Sequence, residues 1–198
     1  MDGHRPLVIA IAGPNGAGKS TTAPSLLRDA LQVSEFVNAD AIAGGLSAFR
    51  PDSVAIPAGR AMLERLRHLA EVRADFAFET TLASRSFAPW LARLKRRGYH
   101  VHVLFLWLES ADLAVNRVAA RVRRGGHDVP EPTVRRRYER GLRNLFGLYL
   151  PLADSWQVFD NSRARRPRLV ASGRGERAEQ VANASLWRRI VEIYRGKP

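Results

Sequence analysis

The feature that most narrows the folds open to this chain is the segment Gly13-Pro14-Asn15-Gly16-Ala17-Gly18-Lys19-Ser20. It matches GxxxxGK[ST] at every fixed position, a coincidence expected in roughly one sequence in 700 of this composition. Its setting narrows the choice further. The apolar run Leu7–Ala12 precedes it and reads as a strand buried on both faces, while a helical pattern over Thr21–Leu31 follows, with Leu26, Leu27 and Leu31 on one side. A polyphosphate needs converging backbone N–H groups, and only small residues let the backbone close around it. The segment therefore places Gly13, Asn15, Gly16, Ala17, Gly18 and Thr21 in the wall of an ATP site. Lys19 serves the β- and γ-phosphates, and the Ser20 hydroxyl serves Mg²⁺. Lys19 is one of only three lysines in the chain, beside Lys95 and Lys197.

Strand and helix patterns alternate along the rest of the sequence. Phe36–Asp40, Phe76–Glu79, Val101–Leu108, Trp156–Phe159 and Leu169–Ala171 read as strands. Ala41–Leu46, Gly59–Val72, Phe87–Arg96, Ala111–Arg124, Thr133–Leu148 and Ser185–Tyr194 read as helices, and Pro51–Pro57 as a loop. Such alternation calls for a parallel sheet covered by helices on both faces. No repeat or linker divides the chain, so residues 1–198 form a single domain in this reading.

A nucleotide cradle does not specify a reaction, so the other strand ends must. Asp40 closes the second strand and Glu79 the third, at the sheet edge where α/β proteins bind ligands. A carboxylate there takes the proton of an attacking hydroxyl or helps hold Mg²⁺; equally, Asp40 is well suited to cap the helix behind it. Thr80 and Thr81 add hydroxyls beside Glu79. Two acidic strand ends favour a small-molecule kinase over a motor ATPase, whose apolar strand would close in Asp-Glu, whereas here Leu108-Glu109 follows.

Arg117, Arg121 and Arg124 share a helical face ahead of Gly125-Gly126-His127, and further arginines, Arg136 among them, follow. Guanidinium groups stabilise charge spread over a transferring phosphoryl group, and a glycine pair is a natural hinge. Residues 121–137 are the candidate lid. Arg121, Arg124 and Arg136 are candidates to face the nucleotide, and spacing alone leaves open which guanidinium reaches the transferring phosphate.

Composition mostly excludes. The chain has no cysteine, so disulfides, thiolate metal sites and cysteine nucleophiles are absent. No apolar run is long enough for a membrane span, and a cytoplasmic protein is expected. The net charge is +13, but arginine has replaced lysine almost throughout, which reads as genome composition more than as nucleic-acid binding. His100 and His102 alternate along one strand without a third ligand in sight and read as structural, as do the dispersed Trp90, Trp107, Trp156 and Trp187.

The order of Gly13–Ser20, Asn38-Ala39-Asp40, Phe78-Glu79-Thr80-Thr81-Leu82 and Arg121–Pro130 resembles the zeta-toxin family of P-loop kinases, over roughly Leu7 to Asp160. The resemblance implies an α/β P-loop NTPase fold of the kinase type, a three-layer sandwich on a mostly parallel five-stranded sheet. It implies transfer of phosphate from ATP, with Mg²⁺, to a hydroxyl of UDP-N-acetylglucosamine. Asp40 would be the general base, Lys19 the γ-phosphate ligand and Arg121 the clamp, with Glu79 lining the acceptor pocket. An antitoxin protein becomes a candidate partner. The family's established toxins are longer, and Gly44–Pro57 has no feature matching sugar-nucleotide contacts. Another acceptor (a nucleoside, an antibiotic or a polynucleotide end) therefore stays open, as does a non-enzymatic, ATP-dependent nucleic-acid binder.

Overall fold

Val8, Ile9, Ala10, Ile11 and Ala12 are all without solvent exposure, which is the physical reason β1 (Leu7–Ala12) is a continuous apolar run. The computed structural model describes residues 5–25, 27, 32–48, 50–163 and 166–194. Successive β1 residues face opposite ways. Ile9 and Ile11 pack with Ala23, Leu27, Val33 and Ala77, while Val8, Ala10 and Ala12 join the larger core on the other face.

The remaining strands are β2 (Glu35–Val37), β3 (Phe76–Thr80), β4 (His100–Trp107), β5 (Ser155–Asp160), β6 (Arg168–Arg174) and β7 (Arg177–Val181). They form one sheet in the order β2-β3-β1-β4-β5-β6-β7. Its first five strands are parallel, β6 pairs antiparallel with β5, and β7 pairs antiparallel with β6. The sheet is therefore mixed and seven-stranded, not the mostly parallel five-stranded sheet expected. β7 escaped the sequence reading because it is a largely exposed edge strand, Arg-Ala-Glu-Gln-Val, with no apolar run to announce it.

The helices are α1 (Lys19–Ser25), α2 (Ala39–Leu46), α3 (Ala55–Glu71), α4 (Phe87–Arg96), α5 (Ala111–Val122), α6 (Glu131–Asn144), α7 (Leu150–Leu152) and α8 (Ala184–Tyr194). Of the leucine stripe expected after the phosphate loop, Leu27 is buried as foreseen, and Leu26 and Leu31 lie outside the described residues. Pro51–Pro57 is not a loop. Pro51–Val54 is a 3₁₀ turn and α3 starts at Ala55, admitting Pro57 to its first turn, where the missing N–H has no partner to lose. Among the described residues no helix is long and apolar enough to cross a membrane.

β1 lies between β3 and β4, although β2 and β3 follow it in sequence. This reversal of direction opens a crevice at the carboxyl end of β1, where the glycine-rich segment begins. The tryptophans serve packing. Trp90 meets Phe76, Phe78 and Phe87, and Trp187 stacks on buried Trp156.

His100 Nε2 and His102 Nδ1 both lie within hydrogen-bond reach of Ser155 Oγ, at 2.7 and 2.8 Å. Burial, aided by neighbouring His100, pulls the His102 imidazole from 6.5 down to about 4. Between those pH values the unfolded chain binds a proton that the folded chain refuses, so stability falls as pH falls. The expected loss reaches about 3 kcal/mol near pH 4. Urea unfolding from pH 7 to 4.5 should show this slope in the wild type and lose most of it in His102→Gln.

Candidate active site

The crevice is a cleft of about 850 Å³. Its phosphate side is lined by Asn15, Gly16, Gly18, Lys19, Ser20 and Thr21, and the facing side includes Asp40, Glu79, Thr80, Thr81 and Ser84. Arg117, Arg121, Arg124 and Arg137 border it from α5, the following turn and α6.

The loop conformation requires glycine at Gly16 and Gly18, with φ of +76° and +81°. A Cβ on Gly13 would stand 2.5 Å from the Leu106 carbonyl oxygen, so the loop leaves β1 pressed against β4. Gly13 and Ala17 do not line the cleft. They build its floor, Ala17 being buried with its carbonyl accepting from Asn161 Nδ2 at 2.8 Å.

Lys19 is buried, and its Nζ donates to the carbonyls of Gly13 and Pro14 at 2.9 and 3.0 Å. It stands 3.6 Å from Glu79 Oε1. Burial pulls the ammonium below its ordinary pKa, while Glu79 and then Asp40 oppose the shift. Ser20 Oγ donates to Glu79 Oε2 at 2.7 Å, and Asn38 Nδ2 donates to the same oxygen at 2.7 Å. Glu79, expected in the acceptor pocket, is therefore engaged by the phosphate loop. The Ser20 hydroxyl beside the Glu79 carboxylate is a set of hard oxygen donors that fits Mg²⁺.

Asp40 is not the end of a strand. β2 stops at Val37, and Asn38 caps α2, its Oδ1 accepting from the backbone N–H groups of Asp40 and Ala41 at 2.7 and 3.2 Å. Asn is as good a cap as Asp, and its amide can also reach Glu79. Asp40 is thus spared the capping role, and it lies exposed in the first turn of α2 within the cleft.

The arginines divide the work. Arg117 Nη2 donates to the Ser162 carbonyl at 2.8 Å, and Nη1 to that of Gly16 at 3.4 Å, tying the phosphate loop to the end of β5. Arg121 Nη2 donates to the His127 carbonyl at 2.7 Å, and its stem passes beneath Gly126, where a Cβ would stand 2.5 Å from Arg121 Cγ. Gly126 thus serves close packing, while Gly125 supplies the left-handed turn, φ +82°. Arg136 does not reach the cleft. It is exposed, with Nη2 3.4 Å from Thr133 Oγ1, and the next residue, Arg137, lies on the cleft-facing side of α6 instead. Spacing alone could not separate the two.

Sequence reasoning gave no role to Asn38, to Asn161 or to the tether made by Arg117. Only Asn38 left a signal, an Asn two residues ahead of an acidic first helical turn. Arg117→Ala keeps the Cβ against which Gly16 packs and removes the tether together with one of the charges bordering the cleft. It should weaken binding of an ATP analogue by about tenfold, in line with the loss of charge-assisted hydrogen bonds. A fluorescence titration of the analogue measures this.

A glycine cradle after the central strand, with Lys19, Ser20 and two carboxylates gathered at one sheet edge, defines an α/β P-loop fold of the kinase type. A family model described as an AAA domain matches residues 8–144, and the chain belongs to that family. A protein from Haemophilus influenzae of uncharacterised function is 31% identical over 130 residues, 66% of this chain and 91% of that protein. Among solved structures, AvrRxo1-ORF1:-ORF2 with ATP is similar over 96% of this chain at TM-score 0.70 and 17% identity. The chain spans only 64% of that neighbour's length. The PezAT toxin-antitoxin system of Streptococcus pneumoniae is similar over all of this chain and 82% of that one, at TM-score 0.67 and 16% identity. A gluconokinase from Sinorhizobium meliloti is similar over 81% of this chain and 86% of its own, at TM-score 0.51 and 19% identity.

Proposed function

We propose that the protein is an ATP-dependent phosphotransferase acting on a hydroxyl of a small molecule, with a nucleotide sugar of the UDP-N-acetylglucosamine type as acceptor. The observation that carries this reading is the placement of Asp40, relieved of capping by Asn38, in the same cleft as the phosphate loop and Lys19. Asp40 takes the proton of the acceptor hydroxyl as its oxygen bonds to the γ-phosphorus and the bond to the ADP oxygen breaks. Lys19 turns from the Gly13 and Pro14 carbonyls to the phosphate oxygens. Arg121, Arg124 and Arg137 spread positive charge over the transferring group.

Ser20, with Glu79 beside it, would hold Mg²⁺. The ion's contribution when bound is to neutralise charge on the β- and γ-phosphate oxygens. The resemblance to zeta toxins supports the nucleotide-sugar acceptor, and the gluconokinase among the similar folds supports a kinase more generally. The toxin-antitoxin system among the similar structures supports an antitoxin-like protein partner.

The test is ADP formation from ATP with and without UDP-N-acetylglucosamine. An acceptor-dependent rise is expected. ADP formation that no acceptor raises would reduce the protein to an ATPase.

A further inference from the structure

The acceptor side of the cleft is a short stretch of irregular backbone, and its shape is imposed from outside. β3 ends at Thr80, and Leu82 then takes a left-handed backbone, φ +56°, although it is a bulky and fully buried residue. Such a conformation persists only where its surroundings dictate it. Two local turns help: Thr80 Oγ1 accepts from Leu82 N at 3.0 Å, and Thr81 Oγ1 from Ala83 N at 3.4 Å.

The remaining constraints come from one helix and the turn after it. Asn144 Nδ2 donates to the Leu82 carbonyl at 2.7 Å. Gly141 lets the backbone of α6 lie against Thr81, since a Cβ there would stand 2.4 Å from the Thr81 carbonyl oxygen. Beyond α6 the chain widens into a π-helical turn, Leu145–Tyr149, and Tyr149 Oη donates to the Ser84 carbonyl at 2.7 Å. Gly141 and Asn144 lie four and seven residues after Arg137, which makes one helical face of the three. Arg137 lines the cleft, and so do Thr80, Thr81, Ala83 and Ser84.

We propose that Asn144 and Gly141 are positioning residues for the acceptor: they fix the Thr80–Ser84 backbone to the helix that carries Arg137. Acceptor shelf and phosphate-facing guanidinium then keep one spacing, while ATP rests on an independent support, the Arg117 and Asn161 tethers. The inference builds on the phosphotransfer reading. It locates part of the acceptor's specificity in residues that never touch the acceptor.

The experiment compares wild type, Asn144→Ala and Asn144→Asp, the last keeping the shape of the side chain while removing its donor. Hydrogen exchange of the free protein reads the shelf directly. Amides of Leu82 and Ala83 should exchange about tenfold faster in both variants, and residues 13–20 should be unchanged. Binding of an ATP analogue should stay within about twofold of wild type. With UDP-N-acetylglucosamine as the acceptor probe, KM for the acceptor should rise about fivefold or more while KM for ATP holds. Unchanged exchange over residues 80–84, or an equal loss of analogue affinity, would overturn the proposal. If wild type leaves the probe unphosphorylated, that failure falls on the choice of acceptor. The exchange pattern together with analogue affinity then decides for or against the shelf.

Discussion

Asp40→Asn should lower the rate of phosphoryl transfer by about 100-fold or more and leave ATP affinity where it was. The size follows from what a positioned general base contributes, about 10²–10⁴ in rate. The selectivity follows from the site: Asp40 sits in the first turn of α2, whose N-cap is Asn38, with Oδ1 accepting from the N–H groups of Asp40 and Ala41. Asn fills the same volume and cannot accept the proton. The competing reading, that Asp40 is there for the helix, predicts something else. A lost cap would lower stability by about 1 kcal/mol and spare the chemistry. Single-turnover transfer measured beside a urea melt separates the two. Transfer within a fewfold of wild type would remove Asp40 from the mechanism.

Lys19→Ala should have the other large effect and, unlike Asp40→Asn, should reach binding as well. The ammonium is held in place before any phosphate arrives, by two backbone carbonyls and the nearby Glu79 carboxylate. Removing it deletes a charge aimed at the transferring group inside a cleft where electrostatics are strong. Transfer should fall by about 10³-fold and ATP affinity by about tenfold. The Gly13 and Pro14 carbonyls and Glu79 then lose their cation, so the free protein should also lose about 1–3 kcal/mol of stability. Lys19→Arg should not restore transfer, since a planar guanidinium does not fit a site closed around a point charge. Transfer and analogue titration on both variants test this, and activity retained by Lys19→Ala would contradict it.

How much was legible in the sequence follows from what each feature demands of the side chains. β1 and the phosphate loop could be read because complete burial requires an apolar run and close backbone packing requires glycine. α4, over Phe87–Arg96, was readable to the residue because its apolar stripe and the Gly98 stop agree. β7 was not, because an exposed edge strand tolerates polar residues. Asp40 and Glu79 were found as acidic residues beside strand ends, yet their roles in the fold could not be. Which of Asn38 and Asp40 caps α2, and that Glu79 turns to Ser20, depend on distances between segments far apart in the chain. The lid arginines show the same limit. Arg136 and Arg137 are adjacent in sequence, and only the orientation of α6 brings one to the cleft and turns the other to solvent. The Asn144 contact with Leu82 spans 62 residues and leaves no local pattern at all.

The most direct test of the central claim is mass spectrometry of UDP-N-acetylglucosamine after incubation with ATP, Mg²⁺ and the purified protein, with Asp40→Asn and Lys19→Ala run in parallel. A gain of one phosphate on the sugar nucleotide, seen with wild type and lost in both variants, is the predicted result. An acceptor left unmodified by a protein that still binds ATP, or one modified equally well by Asp40→Asn, would contradict the account.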